Sequence, residues 1–155
     1  KKNDYVVIRK RKFYEVKGSP SFIKLIAEAA QLFGVEVQMH DKKLLLLGNR
    51  GKKFGKKLRK GLPEVCLLIG KENKKNYVVV GEFGHIPFER FPELKGIGVD
   101  IHTHSSGSSF TLEDLMFLEN YEELPELVGV ITPRLDYAYL PFQRKILKGR
   151  IALRF

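Results

Sequence analysis

Apolar side chains recur at positions 22, 25, 26, 29, 32 and 33, the spacing of one helical face, and Gly34 closes the run. Gly18-Ser19-Pro20-Ser21 just before it breaks the preceding pattern and supplies helix-capping chemistry. Residues 4–8 read as a strand, and residues 10–16 either continue it or pair with it. Residues 35–39 alternate like a half-buried strand, and after a turn at 41–43 the run Leu44-Leu45-Leu46-Leu47 reads as a short buried one. Residues 1–48 thus form a small β-α-β-β unit, and 49–155 form a second unit that holds the chemistry. In that second part, residues 65–69 and 77–80 are adjacent strands joined by a polar turn. Residues 97–102 make another strand, and residues 112–121 a helix with its apolar stripe inward. Residues 127–131, 135–140 and 150–155 are three further strands. The expected class is α/β of the α+β kind, a mixed sheet flanked by helices.

Between the two parts, residues 49–61 carry the densest basic run in the chain. One reading is a phosphate-tracking arm. The other is an amphipathic helix with Phe54, Leu58 and Leu62 at i, i+4 and i+8, weakened by Gly51 and Gly55 at about 1 kcal/mol each. The helix is the preferred reading.

Charge sharpens this division. The net charge is +10, yet residues 1–61 hold 17 Lys/Arg against five Asp/Glu, while the remainder holds 11 against 13. An anionic partner for residues 1–61, weakly bound, is one explanation, and a solvated lysine-rich face is the other. No nucleic-acid motif with interleaved aromatics accompanies the basic run. The 43% hydrophobic content supports a packed core, and no apolar run reaches membrane-spanning length. No signal-peptide pattern opens the sequence, and one cysteine excludes an internal disulfide, so a cytoplasmic setting is expected. Cys66 itself reads as a buried apolar residue, since nothing local would lower its pKa. His40 and His85 read as surface or structural residues, although the loop-rich span 81–98 could line a groove.

The candidate chemistry lies at the end of the 97–102 strand, in Val99-Asp100-Ile101-His102-Thr103-His104. Residues i and i+2 of a strand point to one face about 6–7 Å apart, so His102 and His104 can direct ring nitrogens at one ion. A Ser/Gly-rich turn follows, then Thr111 as a helix N-cap, with Asp114 in the first helical turn where it can swing back over the strand end. Two imidazoles and one carboxylate, with a fourth position open, are how a catalytic zinc is held. The bland counterparts are two strand histidines without metal and a Thr-x-x-Asp capping box.

This stretch resembles the JAMM/MPN+ metalloproteases, whose pattern is an upstream Glu, then His-[Ser/Thr]-His, Ser and Asp. The chain offers Glu64, His102-Thr103-His104, Thr111 and Asp114, and its Leu62-Pro63-Glu64-Val65-Cys66-Leu67-Leu68-Ile69-Gly70 is similar to the family's entry into its first core strand. The resemblance covers roughly residues 50–155. The turn after His104 is one residue shorter than the family's, Thr111 stands for Ser, Ser105 stands where Pro is common, and the usual Gly after Cys66 is missing. The resemblance implies a JAMM/MPN-like sheet, Zn²⁺ on His102, His104 and Asp114, and Glu64 as the general base. It also implies Thr111 as a hydroxyl steadying the oxyanion. The implied substrate is a bond between a ubiquitin-like modifier and a lysine or peptide. Two other classes stay open, a nucleic-acid-associated protein similar to the RadC group and a non-catalytic MPN scaffold.

Overall fold

The computed structural model describes residues 12–60, 64–81 and 85–152, so the expected strand at 4–8 and Leu62 fall outside the described residues. The molecule is a mixed α+β fold with two sheets. The smaller sheet has strand order β1-β3-β2, from β1 (Phe13–Val16), β2 (Val37–His40) and β3 (Lys43–Leu47), all antiparallel. The β2–β3 hairpin turns on Asp41 and Lys42, both at positive φ (48° and 65°), the geometry of a two-residue turn matched to strand twist. His40 ends β2 exposed, 3.4 Å from the Asp41 carboxylate, a surface residue as expected.

Helix α1 (Pro20–Leu32) starts where capping chemistry places it: the Ser19 hydroxyl accepts from Phe22 N–H, with Pro20 in the first turn. Its buried face is Phe22, Ile23, Leu25, Ile26, Ala29 and Ala30. Leu32 and Phe33, expected on that face, are exposed because the helix ends there and Gly34 (φ 73°) turns the chain away. Helix α2 (Gly48–Arg59) bears out the helical reading of the basic stretch, with Phe54 and Leu58 buried.

The larger sheet has order β5-β4-β6-β7-β8-β9. Its strands are β4 (Val65–Gly70), β5 (Tyr77–Val80), β6 (Ile97–Thr103), β7 (Leu127–Ile131), β8 (Asp136–Leu140) and β9 (Lys145–Gly149). Among the described residues, only β6 and β7 pair in parallel. The last strand lies earlier than the expected 150–155. Its start is set by the turn at 141–144, which pairs Leu140 with Lys145; residues 150–152 carry no strand and 153–155 fall outside the described residues.

One face of this sheet packs on α1. Val65, Leu67, Ile101 and Ile131 join Leu25, Ile26, Leu44 and Leu46 in a buried cluster that spans both halves of the chain. The other face holds Cys66, Leu68, Val79, Leu94, Ile97 and Tyr121. Above it stands α3 (Leu112–Met116), continued by a 3-10 turn at Phe117–Asn120. Here the expected inward stripe fails: Leu112 is 74% exposed, Met116 57% and Leu115 39%. Five residues are too few to present a continuous face. The inward contacts pass instead to Phe117, Leu118 and Tyr121.

Candidate metal centre

Strand β6 sorts its side chains by parity. Val99 and Ile101 go to the apolar face with α1, and Thr103 with them. Asp100, His102 and His104 share the opposite face, all buried. Backbone pairing with β4 and β7 holds the strand, and His104 N–H extends the β7 ladder by donating to Ile131 C=O at 3.0 Å.

Three side chains converge at the strand end. His102 Nε2 lies 3.1 Å from His104 Nε2 and 3.1 Å from Asp114 Oδ1, and His104 Nε2 lies 3.4 Å from Asp114 Oδ2. Asp114 arrives through its cap. Thr111 Oγ1 accepts from Asp114 N–H at 3.2 Å, and Thr111 N–H donates to Asp114 Oδ2 at 2.9 Å. The Thr-x-x-Asp segment is therefore a capping box, and the same carboxylate that closes the box faces both imidazoles.

These groups fit a cation. His104 Nδ1 faces the Ser108 carbonyl oxygen at 3.0 Å, which fixes the proton there and leaves the Nε2 lone pair pointing at Asp114. His102 Nδ1 faces the Asp100 carboxylate at 3.8 Å, an ion-pair approach rather than a hydrogen bond. Two imidazole nitrogens and a carboxylate thus meet within hydrogen-bond or ion-pair distance of one another. Ligand atoms about 2.0–2.1 Å from a tetrahedral ion lie about 3.3 Å from one another, close to the separations found here. Burial opposes charge on His102, but its contacts to Asp100 and Asp114 outweigh that and raise its pKa to about 10. Burial also works against the Asp114 anion, yet the His102 contact, the Thr111 N–H and His104 bring it down to about 2. His104 is lowered, by burial and by the neighbouring His102 charge.

Glu64 comes to the same cleft from β4. Val65 N–H donates to Thr103 Oγ1 at 3.1 Å and Gly81 N–H donates to the Glu64 carbonyl oxygen at 2.7 Å, so the backbone is held on both sides of this residue. Its half-buried carboxyl makes no hydrogen bond to another described residue. Burial raises its pKa to about 7; His102 opposes that shift, while Asp114 and Glu113 add to it. The cleft encloses about 200 Å³ between Glu64, His102, His104, Thr111 and Asp114, with Phe91 and Phe117 as an apolar wall. Those two rings pack 4.7 Å apart. From the loop-rich span 81–98, exposed His85 together with Ile86 and Phe91 lines the groove.

Asp100 was not among the expected site residues. One of its carboxylate oxygens accepts from the Cys66 thiol at 3.3 Å and the other from the Tyr121 hydroxyl, all three side chains being buried. Burial, with the Asp100 charge, pushes both the thiol and the phenol up, so both are neutral donors. Cys66 is thus buried as expected, but it is also a hydrogen-bond donor to the group behind His102. One signal was present in the sequence: Asp100 stands two residues before His102, on the same strand face.

No family model, curated protein or solved structure matches the chain. What is known of the site is its own geometry: a His102-His104-Asp114 group able to hold a metal ion.

Proposed function

We propose that this cleft is the active site of a zinc-dependent isopeptidase or peptidase of the JAMM/MPN+ kind. It would act on the bond between a ubiquitin-like modifier and a lysine or peptide amine. The observation that carries the reading is the meeting of His102, His104 and Asp114 with a Glu64 whose carboxyl bonds to no other described residue, in one cleft. The donor set of two imidazole nitrogens and one carboxylate with room beside it suits Zn²⁺. Bound there, the ion would supply Lewis acidity, polarising the scissile carbonyl and lowering the pKa of water to about 7.

The remaining roles belong to the chain. Glu64, with a pKa near 7, is matched to taking a proton from the attacking water and returning it to the leaving amine. Thr111 Oγ1 accepts from Asp114 N–H, which leaves its own hydroxyl proton to donate toward a developing oxyanion. Phe91 and Phe117 would give a bound substrate an apolar wall on one side. A buried free Cys66 suits a reducing, cytoplasmic setting. Among the described residues no helix is long and apolar enough to cross a membrane.

The test is cleavage of a ubiquitin-like protein joined to a lysine ε-amine, with chelator-treated and zinc-restored samples. Glu64→Gln should keep its zinc and lose about 10²–10⁴-fold in rate. Full activity in that variant would mean that another carboxylate is the base. Absence of turnover in the unaltered chain on every linked modifier would favour the non-catalytic scaffold.

A further inference from the structure

Beyond its first two residues, every exposed side chain of helix α2 is basic. Six of its twelve residues are Lys or Arg and none is acidic. The reason lies in how the other side is packed. A Cβ on Gly55 would lie 2.2 Å from Tyr14 Cδ1, and one on Gly51 would lie 2.4 Å from the Leu46 carbonyl carbon. The two interior glycines therefore bring the helix axis hard against β1 and β3, with Phe54 and Leu58 buried beneath it. All of its apolar side chains are used up in that packing. Arg59 extends over the Tyr14 ring, 5.4 Å from its centroid.

Lys52, Lys53, Lys56 and Lys57 are exposed, and among the described residues none makes an ion pair. Elsewhere Lys43, Lys71 and Lys95 each have a carboxylate partner. Lys52/Lys56 and Lys53/Lys57 are like-charge pairs at i and i+4, which destabilise a helix. The helix dipole favours cations only in the last turn, so it does not account for Lys52 and Lys53. The face thus bears uncompensated positive charge, held in place by packing on the other side.

We propose that this face binds the phosphate backbone of a nucleic acid, without reading base sequence. Charge complementarity selects a polyanion, and the packing selects among polyanions. An amphipathic helix that settles on an anionic bilayer needs an exposed apolar side to insert, and α2 has buried its own. A phosphate backbone needs only a row of cations. The surface is separate from the metal centre, and the proposal does not depend on the peptidase reading.

The experiment is fluorescence anisotropy of the whole chain with a labelled DNA duplex and a labelled RNA strand over a series of salt concentrations. The variant replaces Lys52, Lys53, Lys56 and Lys57 by Gln, with Lys145→Gln/Lys148→Gln on the exposed strand β9 as control. Affinity should fall linearly with salt on logarithmic axes. The fourfold variant should reduce that slope by about 3–4 on the duplex, near 0.9 for each phosphate no longer neutralised. Its unfolding midpoint should not fall, since only exposed side chains change, and the control should keep the slope. Three results would overturn the proposal: no binding to either nucleic acid at low salt, a slope unchanged in the variant, or lysine-dependent binding to anionic phosphatidylserine vesicles with none to nucleic acid.

Discussion

The carboxylate of Asp100 stands 3.8 Å behind Nδ1 of His102, two residues before it on the same face of β6. It is itself held by Cys66 and Tyr121. A buried carboxylate behind a ligating imidazole orients the ring and raises its basicity, and removing such a group commonly costs 10–100-fold in metal affinity. Asp100→Asn should therefore weaken zinc binding by about that factor in a competition titration. An unchanged affinity would restrict Asp100 to holding Cys66 and Tyr121.

Purified protein is expected to retain about one zinc per chain, the stoichiometry a single three-ligand site allows. His102→Ala/His104→Ala should abolish this in protein that still elutes at the same volume as the parent and unfolds cooperatively. Stoichiometric zinc in that variant would remove the assignment.

Zinc binding should release protons. With its pKa near 10, His102 carries a proton at neutral pH in the metal-free protein, and a ligating nitrogen must give it up. Affinity should accordingly rise with pH through the neutral range. Calorimetry in buffers of different ionisation enthalpy should find about one proton released at pH 7. No buffer dependence would place that proton elsewhere.

Glu64 links stability to pH in the opposite way to a salt-bridged carboxylate. Its folded pKa, about 7, lies above the ordinary 4.5, so its contribution is fully present below about pH 4.5 and is lost as pH rises through 7. Solvent at its exposed side screens the penalty, leaving on the order of 1–2 kcal/mol. Metal-free Glu64→Gln should lose less stability than the parent between pH 5 and pH 8 in thermal unfolding. Parallel curves for the two proteins would contradict the raised pKa.

The packing of α2 predicts that Gly55→Ala destabilises the fold although alanine is the better helix former by about 1 kcal/mol. The Tyr14 ring occupies the space of the new methyl, and overpacking typically costs about 1–3 kcal/mol. Gly149→Ala, with nothing near its Cβ position, is the control. Equal denaturation midpoints for the two variants would mean that α2 shifts freely on the sheet.

Sequence alone determined what depends on neighbours along the chain. Helical spacing with Ser19, Pro20 and Gly34 at its ends located α1, and short apolar runs bounded by turns located β4 to β8 within a residue or two. His102 and His104 share a face because strand geometry puts i and i+2 together whatever surrounds them. Tertiary structure decided what depends on pairing between distant segments. The β4–β6 register and the Thr103 hydrogen bond to Val65 bring Glu64 to the cleft from 38 residues away, which no local pattern encodes. The Thr111–Asp114 cap was legible locally, but the 3.1 and 3.4 Å approach of Asp114 to the two imidazoles and the burial of Asp100 behind one of them were not. The outward stripe of α3 and the earlier start of β9 escaped the sequence for the same reason. Periodicity marks which residues share a face, but burial of that face depends on whether another element arrives to cover it.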